Sequence, residues 1–476
     1  MPFNGIFRDL VPQMFGVAKA RGTVDDAAHL QPFTNVAAPN SPGYPMGYVY
    51  GAGRWHHDPL QLQRDGVIGG PAVAAFSDRG GAKTSYFKEL GMFMSGSDVG
   101  CGRPARTGVA VVRRNAGTNE WQRYAEMFGV EPVDMMNARL NALSRGSGLP
   151  LSRRISWMND TFEHQSEPLS LAEEFVASAA LAQLYRVTPQ DVDPYFRDYF
   201  GVISGFDLEA EIEFHRQSLE TESFSDQLQG WIRSDHDQQE LADARRQLRR
   251  RLTRLLGTAF GQTFGAERPV ESILTSRQQV HDYSLLSAVS PETIPLIWSL
   301  ILDIRNYADK TLNYDLMVEY EPFDETDTLL RYPITAKRVL HILKTIRGLS
   351  KVVGFSMHRL QDAYAIGEHD SEMRGIILDI LEEFEIVLIG QLKGKRARDM
   401  IAEWKDLPPN VMNRIAGQGP GDFCVVIEGR DPLFIHRPLN PSLQVITESN
   451  RANRRKADRD RERAEMLAQT REEGDD

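Results

Sequence analysis

The feature that most constrains the fold of this chain is a glycine-rich loop between an apolar run and a helical segment. The apolar run is Ala72–Phe76, the loop contains Gly80 and Gly81, and the helical segment extends from Thr84 to Met94. A buried strand that leads through such a loop into a helix is a building unit of a parallel sheet covered by helices. The sequence therefore predicts an α/β fold.

The same loop is a candidate phosphate-binding site. The pattern G-x-x-x-x-G-K-[ST] lets backbone N–H groups close around phosphates, while its lysine reaches the β- and γ-phosphates and its hydroxyl binds Mg²⁺. Lys83 and Thr84 stand at the last two positions of this pattern. We therefore expect ATP and Mg²⁺ as ligands, with Thr84 on the metal. The residues expected to contact the nucleotide are Arg79, Gly80, Gly81, Ala82, Lys83, Thr84 and Ser85.

Two positions of the loop depart from the pattern. Ser77 replaces the first glycine, and Ala82 replaces the glycine before the lysine. The change at Ala82 is the larger one, because its Cβ is expected to crowd the approach of the backbone to a phosphate. The alternative interpretation of the segment is a plain strand-to-helix turn in which Thr84 begins the helix.

Acidic residues further along the chain are candidates for metal and water chemistry. The run Asp315–Val318 predicts a strand, and Glu319 and Glu321 follow it. In phosphoryl-transfer sites one carboxylate holds the metal and another group orients the attacking water. We expect Glu319 to share the metal with Thr84 and Glu321 to act as the base, because Tyr320 cannot serve as a carboxylate. The alternative is that both glutamates are exposed residues at a strand end.

A polar residue at the end of a neighbouring strand is the candidate sensor of the γ-phosphate. The run Lys351–Phe355 predicts a strand, and Ser356 and His358 follow it. We expect His358, or else Ser356, to contact the phosphate in a catalytic role. The alternative for His358 is a capping or core-satisfying role.

An arginine-rich helix is the candidate for contact with nucleic acid. Its apolar stripe comprises Leu241, Ala244, Leu248, Leu252 and Leu255, and its other face carries Arg245, Arg246, Arg249, Arg250, Arg251 and Arg254. Such a face can track a phosphate backbone, or it can be a solvated surface whose arginines pair with acidic neighbours. The formal net charge of -11 argues against a protein whose whole surface coats nucleic acid.

Composition excludes several classes of protein. Hydrophobic residues make up 41% and charged residues 25% of the 476 residues, which is ordinary for a globular protein with a sizeable core. Cys101 and Cys424 lie far apart in the sequence, so neither a disulfide framework nor a zinc site is expected. We therefore expect the protein to reside in a reducing cytoplasm. No stretch reaches the roughly 18 apolar residues of a membrane-spanning helix. Any membrane contact is expected to run through a partner.

Five segments are expected along the chain. They are an extended strap over 1–60, the first part of the α/β core over 61–150, a helical insertion over 151–256, the second part of the core over 257–450 and a charged tail over 451–476. Strands in the second part are predicted at Tyr283–Leu286, Asp315–Val318, Lys351–Phe355 and Ile386–Ile389. The segment Gly429-Arg430-Asp431 predicts a closing β-hairpin.

Together these residues resemble the motor domain of the conjugative-transfer ATPases of type IV secretion systems, the TraC-like proteins in the HerA/FtsK branch of RecA-like P-loop NTPases. The resemblance covers roughly residues 50–450, and its strength lies in the order of many modest motifs. Those motifs include Trp55–Leu60, Ser77–Thr84, Val109–Trp121, Phe128–Val133, Arg139–Leu143, Gln279–Ser284, Glu319–Glu321, His358–Asp362 and Pro420–Phe423. The departures from the family pattern cluster at the positions expected to carry the chemistry. Asn115-Ala116-Gly117, for example, lacks the acidic turn of the family.

The resemblance implies a RecA-like three-layer sandwich with a mainly parallel sheet, a helical insertion and a C-terminal hairpin. It also implies an ATP-binding motor that powers or supports transfer of DNA or protein. Its implied partners are copies of itself in a hexamer or a paralogous ATPase, together with inner-membrane secretion proteins. Two alternatives stay open: a non-hydrolysing structural subunit, indicated by Ala82 and Tyr320, and a DNA-engaging coupling protein that uses the arginine face.

Overall fold

The computed structural model describes residues 43–50, 53–78, 80–96, 105–111, 121–165, 168–205, 238–265, 278–311, 318–324, 326–358, 360–366 and 371–438. Within these ranges the chain forms one eleven-stranded sheet with helices on both faces. The predictions for residues 1–42, for Asn115–Gly117 and for the tail over 451–476 lie outside the described residues.

The sheet is mainly parallel. Its strands are β1 (Tyr44–Val49), β2 (Gly53–His57), β3 (Ala72–Phe76), β4 (Ala105–Val111), β5 (Val133–Asp134), β6 (Gln278–Asp282), β7 (Val318–Phe323), β8 (Lys351–Met357), β9 (Ile386–Ile389), β10 (Asp422–Ile427) and β11 (Leu433–His436). They follow the order β2-β1-β11-β10-β9-β3-β8-β7-β4-β6-β5. The strands from β9 to β5 in this order run parallel, whereas β10, β11, β1 and β2 are antiparallel to their neighbours.

The strand before the glycine-rich loop lies at the centre of the sheet. β3 pairs with β8 on one side and with β9 on the other, so β8 separates it from β7. All five residues of β3 are buried, because helices cover both faces and only small or apolar side chains fit. The predicted strands Ala72–Phe76 and Ile386–Ile389 and the closing hairpin at Gly429 are confirmed.

Helices form the two outer layers. They are α1 (Pro59–Arg64), α2 (Lys83–Gly96), α3 (Gln122–Met127), α4 (Leu151–Gln165), α5 (Leu171–Val187), α6 (Phe196–Gly205), α7 (Gln238–Leu256), α8 (Ala259–Phe264), α9 (Leu286–Val289), α10 (Ile294–Thr311), α11 (Thr326–Leu329), α12 (Pro333–Thr345), α13 (Leu360–Tyr364), α14 (Glu372–Glu382), α15 (Lys395–Lys405) and α16 (Pro409–Ala416). Among the described residues, no helix is long and apolar enough to cross a membrane.

Alternation along β3 shows how the two layers share the sheet. Ala72, Ala74 and Phe76 join one apolar cluster with α10, α12 and α14, while Val73 and Ala75 join the other with α1, α2 and α3. The side chains of a strand point alternately to its two faces, so both clusters are built on the same strand. The predicted three-layer α/β architecture is therefore confirmed.

Helix α2 lies very close to the sheet. A Cβ on Gly354 of β8 would lie 2.6 Å from the ring of Phe87, so only glycine permits this distance. A Cβ on Gly91 would likewise lie 2.8 Å from the Tyr320 ring on β7. These two contacts fix α2, and with it the loop that precedes it, against the central strands.

The helices of residues 151–205 and 238–265 share their core with the sheet. Leu241, Ala244, Leu248, Leu252 and Leu255 of α7 are at most 5% exposed, as their spacing predicts. They belong to the same apolar cluster as α10 and α12. The helical segment is therefore packed continuously with the α/β core.

Two predicted strands are placed wrongly by the sequence. The strand predicted at Tyr283–Leu286 is instead β6, which ends at Asp282, because Asp282 Oδ1 accepts the Ser284 backbone N–H at 3.0 Å and turns the chain. The strand predicted at Asp315–Val318 meets β7 at Val318, and β7 extends from there to Phe323, while residues 315–317 lie outside the described residues. This second shift changes which acidic residue ends the strand.

Candidate functional site

The loop after β3 depends on its glycines. Gly80 has a φ of 81°, in the left-handed region that favours glycine. A Cβ on Gly81 would lie 2.2 Å from Ser77 Oγ, so no larger residue fits there. The Gly81 N–H donates to Asp78 O at 3.2 Å and closes the turn. Arg79, expected to contact the nucleotide, lies outside the described residues.

Ala82 adopts a strained backbone conformation within this loop. Its φ is 65°, and a residue with a Cβ adopts the left-handed region at a cost of about 1–2 kcal/mol. Its carbonyl accepts the N–H of Tyr86 at 3.0 Å as α2 begins, and its partly buried methyl group packs against the apolar cluster of the α2 layer. The structure thus shows backbone strain at Ala82, and the crowding of a phosphate by its Cβ stays a prediction.

Lys83 folds back over the loop from the first position of α2. Its Nζ donates to Ser77 O at 2.8 Å and to Ser77 Oγ at 3.0 Å. The same atom lies 3.4 Å from Nδ1 of His358, which follows β8. The side chain is only 6% exposed, so a buried ammonium group stands at the carboxyl edge of the central strands.

Thr84 contacts a carboxylate that the sequence did not single out. Its Oγ1 lies 3.2 Å from Asp324 Oδ1 and 3.1 Å from Oδ2, and Asp324 directly follows β7. The indole N–H of Trp121 donates to Asp324 Oδ2 at 3.1 Å. Asp324 therefore stands where Glu319 was expected, at the end of the acidic strand and against the loop hydroxyl. Ser85, the next residue of α2, is 5% exposed.

The carboxyl edge thus collects groups from three strands. Lys83 and Thr84 come from the helix after β3, Asp324 follows β7 and His358 follows β8. Hydroxyl and carboxylate oxygens are ligands that suit Mg²⁺, and an ammonium at the amino terminus of a helix suits phosphate. The residues present fit a magnesium nucleotide, with Thr84 and Asp324 on the metal side and Lys83 on the phosphate side.

Glu319 and Glu321 are placed away from this edge. Glu319 pairs in register with Lys351, the first residue of β8, whereas the loop strand reaches the edge at Phe76 opposite Met357. Six residues of strand separate these levels, which is about 20 Å at ~3.3 Å per residue. Such a separation does not favour Glu319 as a metal ligand. The expectation rested on a strand that ended at Val318, and that strand end is wrong.

A buried ionic cluster accounts for both glutamates. Arg305 of α10 donates from Nε to Glu319 at 2.6 Å and lies 3.4 Å from Glu321. Lys351 Nζ lies 3.3 Å from Glu319 and 2.6 Å from Glu321. All four side chains are at most 5% exposed, so the alternative of exposed strand-end residues is wrong as well. Tyr320 faces the opposite layer, where its hydroxyl donates to Phe87 O at 2.8 Å.

A second loop braces the phosphate-loop turn. The backbone N–H of Lys393 donates to Asp78 Oδ2 at 2.9 Å, and the Asp78 N–H donates to Gln391 O at 3.0 Å. Arg398 of α15 holds this second loop by donating to Leu392 O at 2.9 Å and Lys393 O at 2.6 Å. The turn that carries Lys83 is therefore fixed from the β9 side.

The arginine face of α7 forms a shallow basic groove. Arg246, Arg249, Arg250, Thr253 and Arg254 are exposed and line a groove of about 450 Å³. Arg251 instead lies 3.2 Å from Glu173 of α5. Arg251 of the predicted face is therefore used in packing, whereas the four arginines of the groove face solvent.

Sequence reasoning missed Asp324 and Trp121. The signal for Asp324 was the pair Asp324-Glu325 directly after Pro322-Phe323, which resembles the acidic pair that ends such a strand. The signal for Trp121 was absent, because its contact with Asp324 joins elements far apart in the chain. Glu325 itself lies outside the described residues.

The mainly parallel sheet with helices on both faces has the predicted RecA-like architecture, and comparison with solved structures agrees. The VirB4 structure of Thermoanaerobacter pseudethanolicus matches with a TM-score of 0.60 and 14% identity, covering 85% of this chain and 98% of that one. This chain therefore has the fold of VirB4, the fold that the sequence resemblance implied.

Other similar structures include the plasmid coupling protein TrwB in complex with ADP and Mg²⁺. That match has a TM-score of 0.45 and 10% identity, and covers 79% of this chain and 86% of that one. A scan against protein-family models finds no match. A search of curated proteins finds none either.

Proposed function

We propose that this chain is an ATP-binding motor-type protein of a conjugation or type IV secretion system, which powers or supports transfer of DNA or protein. The observation that carries this proposal is the meeting of Lys83, Thr84, Asp324 and His358 at the carboxyl edge of β3, β7 and β8. The VirB4 fold supports the choice of system.

Each residue takes a role that its contacts allow. Lys83 holds the β- and γ-phosphates after leaving Ser77, and Thr84 and Asp324 hold Mg²⁺. Mg²⁺ neutralises charge on the phosphates when it is bound. His358, next to Lys83, contacts the γ-phosphate. Glu325 follows Asp324 in the sequence and is the carboxylate that we assign to the attacking water.

A titration with ATP, with and without Mg²⁺, tests this function. We expect saturable binding that Mg²⁺ tightens, and loss of that binding in Lys83→Ala. The matched control is Lys344→Ala, since Lys344 is 52% exposed in a surface pair with Asp379. No binding by the wild-type chain, or equal binding by Lys83→Ala, would contradict the proposal.

A non-hydrolysing structural subunit is the second candidate. The left-handed Ala82 supports it, because the phosphate-loop pattern has glycine at this position and alanine adopts this conformation only at a cost. ATP hydrolysis at a rate indistinguishable from that of Lys83→Ala, alongside intact ATP binding, is the result that favours this candidate. Tyr320, which the sequence offered as further support for this candidate, does not support it, since its side chain lies in the core.

We further propose that the protein works at the cytoplasmic face of the inner membrane as a hexamer or beside a paralogous ATPase. Secretion-complex proteins would hold it there, and arginine from a neighbouring subunit would complete the site. Three arginines are candidates for this role. Arg398 donates to carbonyls of its own subunit, Arg374 lies 4.7 Å from the Tyr364 ring centroid, and Arg396 is exposed. Mass measurement in solution with and without nucleotide tests the assembly.

DNA binding through α7 is the third candidate function. The exposed arginines of the basic groove support it. Charge reversal of Arg246, Arg250 and Arg254 is expected to abolish salt-sensitive DNA binding, because each phosphate contact releases a counterion. DNA binding that is independent of salt, or unchanged in the reversed variant, would exclude this surface.

A further inference from the structure

We infer that Trp121 is a positioning residue for Asp324, the carboxylate proposed to bind Mg²⁺, and that its indole N–H sets the affinity of the site for Mg²⁺. The inference rests on the proposed nucleotide function and extends it to a residue outside the loop and the strand ends. Its basis is a single buried contact, in which Trp121 Nε1 donates to Asp324 Oδ2 at 3.1 Å.

The indole is held rigidly in place. Trp121 is fully buried at the residue before α3, and its backbone carbonyl accepts the Ala125 N–H at 3.0 Å. Its ring meets the ring of Tyr124 edge to face at 5.1 Å, and Lys88 Nζ of α2 lies 5.6 Å from the ring centroid. The donor therefore has a fixed direction, and the carboxylate must turn to meet it.

The carboxylate is held between two donors of different kinds. The Thr84 hydroxyl carries one proton and lies within 3.2 Å of both Asp324 oxygens, so it can serve either of them. The indole N–H reaches Oδ2. Trp121 thereby selects the orientation of the carboxylate and leaves Oδ1 as the oxygen that has no indole contact.

The indole acts through Asp324 and not as a ligand. A protonated indole nitrogen donates and has no lone pair for a cation. Partners that orient metal ligands in this way typically change metal affinity about 10- to 100-fold when removed. The competing explanation is that Trp121 only fills space in the apolar cluster of the α2 layer.

Trp121→Phe separates the two explanations, because it keeps a buried ring and removes the N–H. The matched control is Trp157→Phe: Trp157 is 1% exposed, and its Nε1 donates to Leu296 O and Ser299 Oγ at 3.2 Å in the helical segment. Binding of a fluorescent ATP analogue is measured against Mg²⁺ concentration. We expect Trp121→Phe to raise the half-maximal Mg²⁺ about ten-fold, with Mg²⁺-free nucleotide affinity unchanged and Trp157→Phe like wild type.

A double-mutant cycle shows whether Trp121 acts through Asp324. In the Asp324→Asn background, Trp121→Phe is expected to change the Mg²⁺ response no further. Equal Mg²⁺ responses in wild type and Trp121→Phe, or full additivity with Asp324→Asn, would overturn the inference while leaving nucleotide binding in place. A wild-type chain that binds no nucleotide would overturn the inference and the proposed function together.

A second readout leaves Trp121 unchanged, in case Trp121→Phe does not fold. The chain has six tryptophans, and the indole resonance that moves in Asp324→Asn is taken as that of Trp121. We expect this resonance to shift when Mg²⁺ is added to the nucleotide-bound wild type and to stay in place in Asp324→Asn. A resonance that ignores Mg²⁺ in the wild type would overturn the inference.

Discussion

The two ends of β7 and β8 carry acidic residues in contrasting surroundings. At the amino end, Glu319 and Glu321 are buried against the cations Arg305 and Lys351. At the carboxyl end, Asp324 accepts hydrogen bonds from the neutral donors of Thr84 and Trp121. A carboxylate paired with buried cations serves stability, whereas one that accepts hydrogen bonds from neutral donors is suited to bind a metal.

The two ends of these strands are also expected to differ in which substitutions they tolerate. Removing one member of a buried ion pair leaves an uncompensated charge and is strongly destabilising. Replacing a carboxylate that only hydrogen-bonds neutral groups leaves no unpaired cation behind. Substitutions at the amino end should therefore lower the free energy of unfolding, whereas substitutions at the carboxyl end should weaken ligand binding.

The largest expected effect is on stability, in Lys351→Ala. This change removes a buried cation that pairs with both Glu319 and Glu321, and we expect the free energy of unfolding to fall by about 3–5 kcal/mol. Denaturant unfolding measures it, and Lys344→Ala at an exposed pair is the control, expected within about 1 kcal/mol of wild type. Unchanged stability with lost nucleotide binding would reverse the contrast between the two ends.

Glu325→Gln tests the carboxyl end for turnover. If Glu325 orients the attacking water, its amide cannot accept the proton, and Mg²⁺-dependent ATP hydrolysis is expected to fall about 100-fold or more. ATP affinity should stay near that of wild type. Steady-state phosphate release beside a binding titration separates the two, and hydrolysis equal to wild type would remove Glu325 from the proposed site.

His57 extends the contrast to a buried group with no place in the proposed site. Burial first, and Arg437 second, lower the pKa of His57 from 6.5 to about 3. The unfolded chain therefore takes up a proton that the folded chain refuses, so stability is retained above about pH 6.5 and lost as pH falls towards 3. The slope should approach about 1.4 kcal/mol per pH unit from this residue. Unfolding of His57→Gln between pH 4 and 6 should be flatter, and an unchanged slope would contradict the assignment.

The smallest expected effect is a gain of stability in Ala82→Gly. Relief of the left-handed conformation outweighs the added freedom of glycine in the unfolded chain, and we expect a gain of about 0.5–1 kcal/mol. Ala402→Gly within α15 is the control with the opposite sign, since glycine in a helix costs about 1 kcal/mol. A loss of stability in Ala82→Gly would show that its methyl contact matters more than its backbone.

The sequence carried the fold further than the site. Ile386–Ile389 is a run of four apolar residues, and Ala72–Phe76 leads into a glycine turn, so local pattern placed both strands. Glu319 and Glu321 misled because they alternate with Val318 and Tyr320 like the exposed side of a strand. Their burial depends on Arg305 and Lys351, partners that only the folded chain brings to them.

Asp324 and Trp121 illustrate the same limit at the site itself. The sequence predicted that the strand ends at Val318 instead of Phe323, because strand ends are weakly marked in sequence. Glu319 was therefore taken for the carboxylate at the strand end, which is Asp324. The indole contact depends on tertiary packing between the start of α3 and the end of β7. Lys83 and Thr84 were found because a single short motif contains them.

The most direct test compares Mg²⁺-dependent nucleotide affinity in Asp324→Asn and Glu319→Gln, each measured on folded protein. We predict that Asp324→Asn binds the fluorescent ATP analogue with the same affinity whether Mg²⁺ is present or not. Glu319→Gln is predicted to lose stability and keep the full Mg²⁺ response. The opposite result, a Mg²⁺ response retained in Asp324→Asn and lost in Glu319→Gln, would contradict the assignment of the metal to the carboxyl end of β7.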